Sequence, residues 1–236
     1  MLLYALLLQT VEGLERTAAT ATETTQVNQS AWDIIAQSGF FGILIYAIQL
    51  VMSFIAVYIF IERWSAINRA GRIDDHFMNN IRVNVQSGNI QGARSLCQTT
   101  DSPVARMVEK GLQRIGKPLR DIDAAIENTG NLEIFKLEKN LASLASISGS
   151  APMIGFFGTV IGMIQAFYNM STQQNVTPTL LAGGIYTALI TTAIGLAVGI
   201  FALIGYNLLV SKVEKVVFQM ERTTIEFMDF LQEPTA

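Results

Sequence analysis

Four threonines, Thr159, Thr187, Thr191 and Thr192, sit within a run that carries no charge at all, Asn140–Ser211. A hydroxyl in such a run has two uses. It can donate to a carbonyl one turn back in its own helix, or it can help hydrate and line a narrow polar path. The residues around the threonines bear on both uses. Gly183, Thr187, Thr191, Gly195 and Gly199 recur every four residues, and Gly184, Ala188 and Thr192 form the adjacent row. Upstream, Gly158, Gly162 and Ala166 repeat the spacing, with Gly155 and Thr159 on a neighbouring row. Small residues four apart let helix backbones approach closely inside a bilayer. The reading is of two tightly packed helices, against each other or across subunits, with Thr159, Thr187, Thr191 and Thr192 as a candidate polar lining.

Such a lining cannot titrate. Neither Ile34–Ile61 nor Asn140–Ser211 contains Asp, Glu, Lys, Arg or His. Proton transfer at mid-membrane ordinarily needs an ionisable side chain, and the Tyr186 phenol, with a reference pKa of about 10, is a poor substitute. If protons cross here, the acid comes from another polypeptide and this chain supplies the wall. Other chemistries find no residues. Cys97 and His76 are the single cysteine and histidine, too few for a disulfide, a cysteine zinc site or a histidine metal centre. The segment GFFGTVIG (155–162) lacks the Gly-Lys-Ser/Thr ending of a phosphate loop. A net charge of −3 gives no basic face for nucleic acid. No nucleophile, base or metal cluster assembles, so the chain reads as no enzyme and without a cofactor.

The elements that must position these rows are membrane helices. Half of the 236 residues are hydrophobic and only 15% are charged, against roughly 25% charged in a soluble domain. Residues 39–61 are long enough to cross about 30 Å of hydrocarbon, between Trp32-Asp33 and Glu62-Arg63-Trp64. The longer charge-free run suits two spans, 144–168 and 180–209, joined by the polar segment 169–179. Residues 62–139 carry twelve basic residues, among them Arg63, Arg69, Lys136 and Lys139 near span ends, while 169–179 carries none. The positive-inside rule then places 62–139 and the C-terminal 210–236 in the cytoplasm, and residues 1–38 and 169–179 outside. The N-terminal MLLYALLLQT reads as a short helix lying on the outer membrane face, with a removed signal peptide as the lesser alternative.

The cytoplasmic parts read as helices. Gly88-Asn89 and Asp101-Ser102-Pro103 are breaks, with Asp101 or Ser102 capping a helix that Pro103 opens. Another helix starts at Pro118 and runs through Ile122, Ala125, Ile126, Leu132 and Phe135. Stripes at Val104, Met107, Val108, Gly111 and Leu112, and at Val213, Val216, Val217, Met220, Phe227 and Leu231, call for partners in a helical bundle below the membrane. Glu133, Lys136 and Glu138 read as a solvated face, His76 as an exposed helical residue and Cys97 as a small buried hydrophobe.

At two places the sequence resembles the MotA/TolQ/ExbB proton-channel family, in its three-span ExbB/TolQ branch and the ExbB-like side of it. The first is Ala151-Pro152, Gly155, Phe157-Gly158-Thr159-Val160 and Gly162. The second is Gly184-Ile185, Ala188-Leu189, Thr191-Thr192-Ala193 and Gly195-Leu196. Weaker matches lie at Gly88, Gly92-Ala93, Cys97, Ser102-Pro103, Ala105-Arg106 and Gly111.

The resemblance implies an all-α integral membrane protein of the bacterial inner membrane, with three transmembrane helices extending into a cytoplasmic helical bundle. It implies a ring-forming homo-oligomer, a pentamer, around the helices of a dimeric single-span ExbD-type partner whose membrane aspartate carries the proton. Proton flow would turn ring against partner and pass force to a TonB-type protein, energising outer-membrane uptake. By the same resemblance Thr159 and Thr192 are pore-facing. Thr187 falls where known ExbB members carry a glutamate, which leaves the partner's aspartate as the sole titrating acid at that depth. A TolQ-like role, or a structural membrane scaffold without proton coupling, are the competing readings.

Overall fold

A computed structural model of the protein describes residues 39–72, 76–172 and 178–232, and the described residues form helices and no strand. Residues 1–38, with the MLLYALLLQT segment, and the middle of the expected outer loop (173–177) lie outside them.

Three helices are long and apolar enough to cross a membrane. The first, α1 (Gly39–Ala70), buries one stripe, Ile45, Gln49, Ala56, Ile59, Arg63, Ile67 and Ala70, at steps of three, four and seven residues. Its other faces expose Phe40, Phe54, Tyr58 and Ile61. Those faces suit hydrocarbon, and helical hydrogen bonding satisfies the backbone there. Four short or medium helices follow: α2 (Phe77–Gln86), α3 (Ile90–Thr99), α4 (Pro103–Leu112) and α5 (Leu119–Glu138). The other two long ones are α6 (Leu141–Thr172) and α7 (Pro178–Gln232).

The spans α6 and α7 run antiparallel, and the packing partners show it: Ala166 meets Gly184, Gly162 meets Ala188, Gly155 meets Thr191 and Thr192, and Pro152 meets Gly199. The spans α1 and α7 run parallel, from Tyr46 at Thr187 and Gln49 at Thr191 to Asn68 at Lys212. A methyl group at Gly205 would lie 2.9 Å from the Phe60 ring, which also packs on Trp64 and Phe201. Where α1 and α7 leave the apolar zone, Lys212 Nζ sits 3.3 Å from the centroid of Trp64 and donates to Asn68 Oδ1 at 2.5 Å, an aromatic–cation pair typical of an interface.

Below the spans, α2, α4 and α5 pack on the second half of α7, and α3 packs on α2 and α4. Phe77, Ile81, Ala93, Cys97, Val104, Met107, Val108, Leu112, Ile122 and Ile126 share one core with Val213, Val216, Met220 and Phe227. Local chemistry sets the helix starts. Asn89 accepts from Gly92 N at 3.0 Å and Ser102 accepts from Ala105 N at 3.1 Å, each filling an orphan donor. Of the two candidate caps, Ser102 does this work and Asp101 pairs with Arg106 instead.

The third span runs on into the C-terminal segment as one unbroken 55-residue helix, in line with the expected extension of the spans into the lower bundle. Other expectations change. The outer turn is shorter than 169–179, since α6 continues to Thr172 and α7 begins at Pro178. His76 precedes α2 as its cap residue and is not inside a helix. The helix expected through Leu132 and Phe135 is α5, on which these two are 63% and 75% exposed. Glu133 is not solvated: it is 4% exposed, because α4 brings Arg106 over it. A break at Lys139-Asn140 separates α5 from α6, with Asn140 at φ +64°.

Candidate functional site

The four threonines occupy three different environments. Thr159, on α6, is half-buried; its hydroxyl donates to Phe156 O at 2.6 Å, and it borders a shallow apolar cleft with Val160, Met163, Ile164 and Phe167. Thr187, on α7, donates to Gly183 O at 2.9 Å and Gly184 O at 3.0 Å. Thr191 is 3% exposed and donates to Ala188 O at 2.6 Å. All three follow the own-helix pattern. Two hydroxyls reach across helices to one carbonyl, Gly155 O on α6: Thr192 donates to it at 2.9 Å, and Thr191, besides its own-helix bond, reaches it at 3.4 Å. In a regular helix that carbonyl also takes the N–H of residue 159, so Thr192 is linked to the turn that carries Thr159.

Thr191 is the one of the four that the protomer buries. It is enclosed within the protomer and lines no open surface, because Gly158 admits it: a methyl at Gly158 would lie 2.6 Å from Thr191 Oγ1. The glycines divide in the same way. Methyl groups at Gly155, Gly162, Gly184, Gly195 and Gly199 would each come within 3.0 Å of an atom on the facing helix. Gly183 differs: among the described residues a methyl there meets nothing within 4 Å.

Two residues of α1 join this group without having been singled out from the sequence. Tyr46 Oη donates to Thr187 O at 3.3 Å, and Gln49 Nε2 donates to Thr191 O at 2.9 Å. Gln49 is 0% exposed, and its Oε1 has no hydrogen-bond partner. The signal was present: Gln49 is the single amide side chain between residues 39 and 61, on the stripe spaced 45, 49, 52, 56 and 59.

Acidic and basic side chains lie outside this layer. Glu133 accepts from Arg106 Nη2 at 2.7 Å and from Lys136 Nζ at 2.7 Å. Burial alone would raise its carboxyl pKa, but the hydrogen bonds and charges of Arg106 and Lys136 outweigh that and hold it below the ordinary glutamate value. Burial, aided by the charge of Glu109, pushes the Cys97 thiol up to about 12, so Cys97 is a core side chain and no nucleophile. Among the described residues no group of three or more His, Cys, Asp or Glu could hold a metal ion.

Residues 99–222 match the MotA/TolQ/ExbB proton channel family. The chain is 27% identical over 213 residues to the Tol-Pal system protein TolQ of Pseudomonas aeruginosa, covering 86% of this chain and 92% of that one. It is 26% identical over 179 residues to the biopolymer transport protein ExbB of Neisseria meningitidis, covering 70% and 80%. To the Tol-Pal system protein TolQ of Haemophilus influenzae it is 42% identical over 86 residues, covering 36% and 38%.

Proposed function

Because the chain belongs to the MotA/TolQ/ExbB proton channel family, we propose that it is an ExbB-like subunit of a proton-motive-force-driven motor in the bacterial inner membrane. In this reading residues 62–139 and 210–236 face the cytoplasm, and residues 1–38 and 169–179 face the periplasm, as the basic residues of 62–139 favour. Several copies form a ring, a pentamer by family resemblance, around an ExbD-type dimer. The partner's aspartate carries the proton, and a TonB-type protein takes up the force.

One observation carries the proposal. The family match covers two helices whose charge-free stretch, Asn140–Ser211, packs backbone to backbone through glycines and holds hydroxyls but no Asp, Glu, Lys, Arg or His. A wall of this kind can solvate a proton's path and cannot store the proton. Thr159 and Thr192 are the residues assigned to the path. Thr159 lies on the α6 turn that begins at Gly155, the α7 hydroxyl of Thr192 donates to Gly155 O, and neither is sealed in the protomer as Thr191 is.

The test is to replace Thr159 and Thr192 by valine and assay proton-motive-force-dependent work in a strain lacking the native gene. Each variant is expected to lose about tenfold or more of activity, with ring assembly intact by native mass spectrometry. Full activity in both would remove the path assignment. The same preparation, purified with the product of a neighbouring gene, gives ring size and partner stoichiometry.

A TolQ-like role has its own support in the long alignment with the Pseudomonas protein. The two roles part on phenotype: loss of TonB-dependent uptake marks the first, and failed outer-membrane constriction at division marks the second.

A further inference from the structure

Gln49 is an oddity in energetic terms. It is fully enclosed where α1, α6 and α7 meet, its Nε2 donates to Thr191 O, and its Oε1 accepts nothing. A buried acceptor without a donor costs stability, and an apolar side chain of the same shape would avoid that cost. The amide is therefore not explained by stability. The space it uses is purpose-shaped: a methyl at Gly195 would stand 3.1 Å from Gln49 Nε2 and 2.7 Å from Ala151 O. The Thr191 carbonyl already faces the Gly195 N–H in helical register, so the amide is a second donor to one carbonyl of α7. The next residue along is Thr192, whose hydroxyl reaches Gly155 O on α6.

We propose that Gln49 is a positioning residue for the proton path: its amide fixes the rotation of α7 so that the Thr192 hydroxyl meets the α6 turn bearing Thr159. This rests on the proton-coupled reading above. Gln49 touches no path residue directly; it acts through the Thr191 carbonyl.

Three variants test it in the full chain, expressed in the deletion strain. Gln49→Leu is expected to fold and assemble with thermal stability equal to or above the parent, and to lose about tenfold or more of proton-coupled activity. Gln49→Met, with a more flexible shape, repeats the test if leucine impairs assembly. Gln49→Glu supplies a readout that packing alone would not move. As a protonated acid it can donate to Thr191 O; as a carboxylate it cannot, and it repels that carbonyl. The surrounding stretches of α1, α6 and α7 offer it no Asp, Glu, Lys, Arg or His, and Tyr46 is the phenol one turn away. Burial raises such a carboxyl's pKa, so activity should persist at low pH and fall as pH rises, over a range where the parent is flat. A pH-independent Gln49→Glu, or a fully active Gln49→Leu beside an impaired Thr192→Val, overturns the proposal while leaving the proton-coupled reading standing. Full activity in Thr192→Val and Thr159→Val instead removes that reading, and this inference with it.

The contact itself is tested without any activity. Threonine labelled with carbonyl ¹³C and amide ¹⁵N selects the four Thr–Thr pairs, 24–25, 99–100, 191–192 and 223–224, and Thr192→Val identifies the 191–192 signal by deleting it. In Gln49→Leu the Thr191 carbonyl resonance is expected to move upfield; no movement refutes the hydrogen bond and the proposal.

Discussion

Within the α6–α7 contact, the same residue type has opposite consequences at two places twelve residues apart on α7. A methyl at Gly195 would fall 2.7 Å from Ala151 O and 2.9 Å from Gly155 Cα, both backbone atoms that cannot turn aside. At Gly183 it would meet nothing among the described residues. Overpacking of a tight contact costs about 1–3 kcal/mol, whereas alanine for glycine in an unobstructed helix gains about 1 kcal/mol. Gly195→Ala should therefore lower the thermal unfolding temperature in detergent, and Gly183→Ala should hold or raise it. A Gly183→Ala variant that is stable as a single chain but fails to assemble would move that glycine to a contact between copies.

At the level of elements, the break between α5 and α6 is the local feature with the least sequence warning. Asn140 holds a left-handed backbone, φ +64°, in a stretch with no proline or glycine near it. The end of α1 secures the joint. Arg63 Nη1 donates to Lys136 O at 3.1 Å, satisfying a carbonyl in the last turn of α5 with a cation, as a helix C-terminus favours. Glu62 pairs with Arg63 beside this joint. Asn140→Gly should keep stability within about 1 kcal/mol, since glycine takes this conformation freely. Asn140→Leu should cost about 1–2 kcal/mol, measured by thermal melting followed by circular dichroism. The contrast explains what the sequence made legible. The apolar runs from 39 onward, the period-four glycines other than Gly183 and the Ser102 cap are local signals, and they appear in the structure as helices, close contacts and a cap. The Asn140 joint, the burial of Glu133 and the partner of Gln49 depend on residues 73, 27 and 142 positions away in their respective contacts. No spacing rule reaches that far.

For the whole molecule, charge and burial divide the chain into two parts that respond differently to pH. The charge-free spans have no carboxylate, lysine, arginine or histidine to titrate. Among the described residues the carboxylates lie below the charge-free spans, and Glu133 is a junction there: it binds Arg106 from α4 and Lys136 from its own helix, whose backbone carbonyl in turn holds Arg63 of α1. Its carboxyl pKa is lowered in the folded chain. The stability it contributes is therefore complete above the unfolded value of about 4.3 and is lost as pH falls through the lower folded value. Acidification should loosen α4 and α5 while the spans keep their helical content, read by hydrogen exchange of the lower bundle against that of α6 and α7. Glu133→Gln should loosen the bundle already at neutral pH, at a cost of about 1–3 kcal/mol. The gap between parent and variant should close as the parent's carboxylate protonates. A gap that stays constant down to acid pH would mean that Glu133 supports the bundle by shape and not by charge.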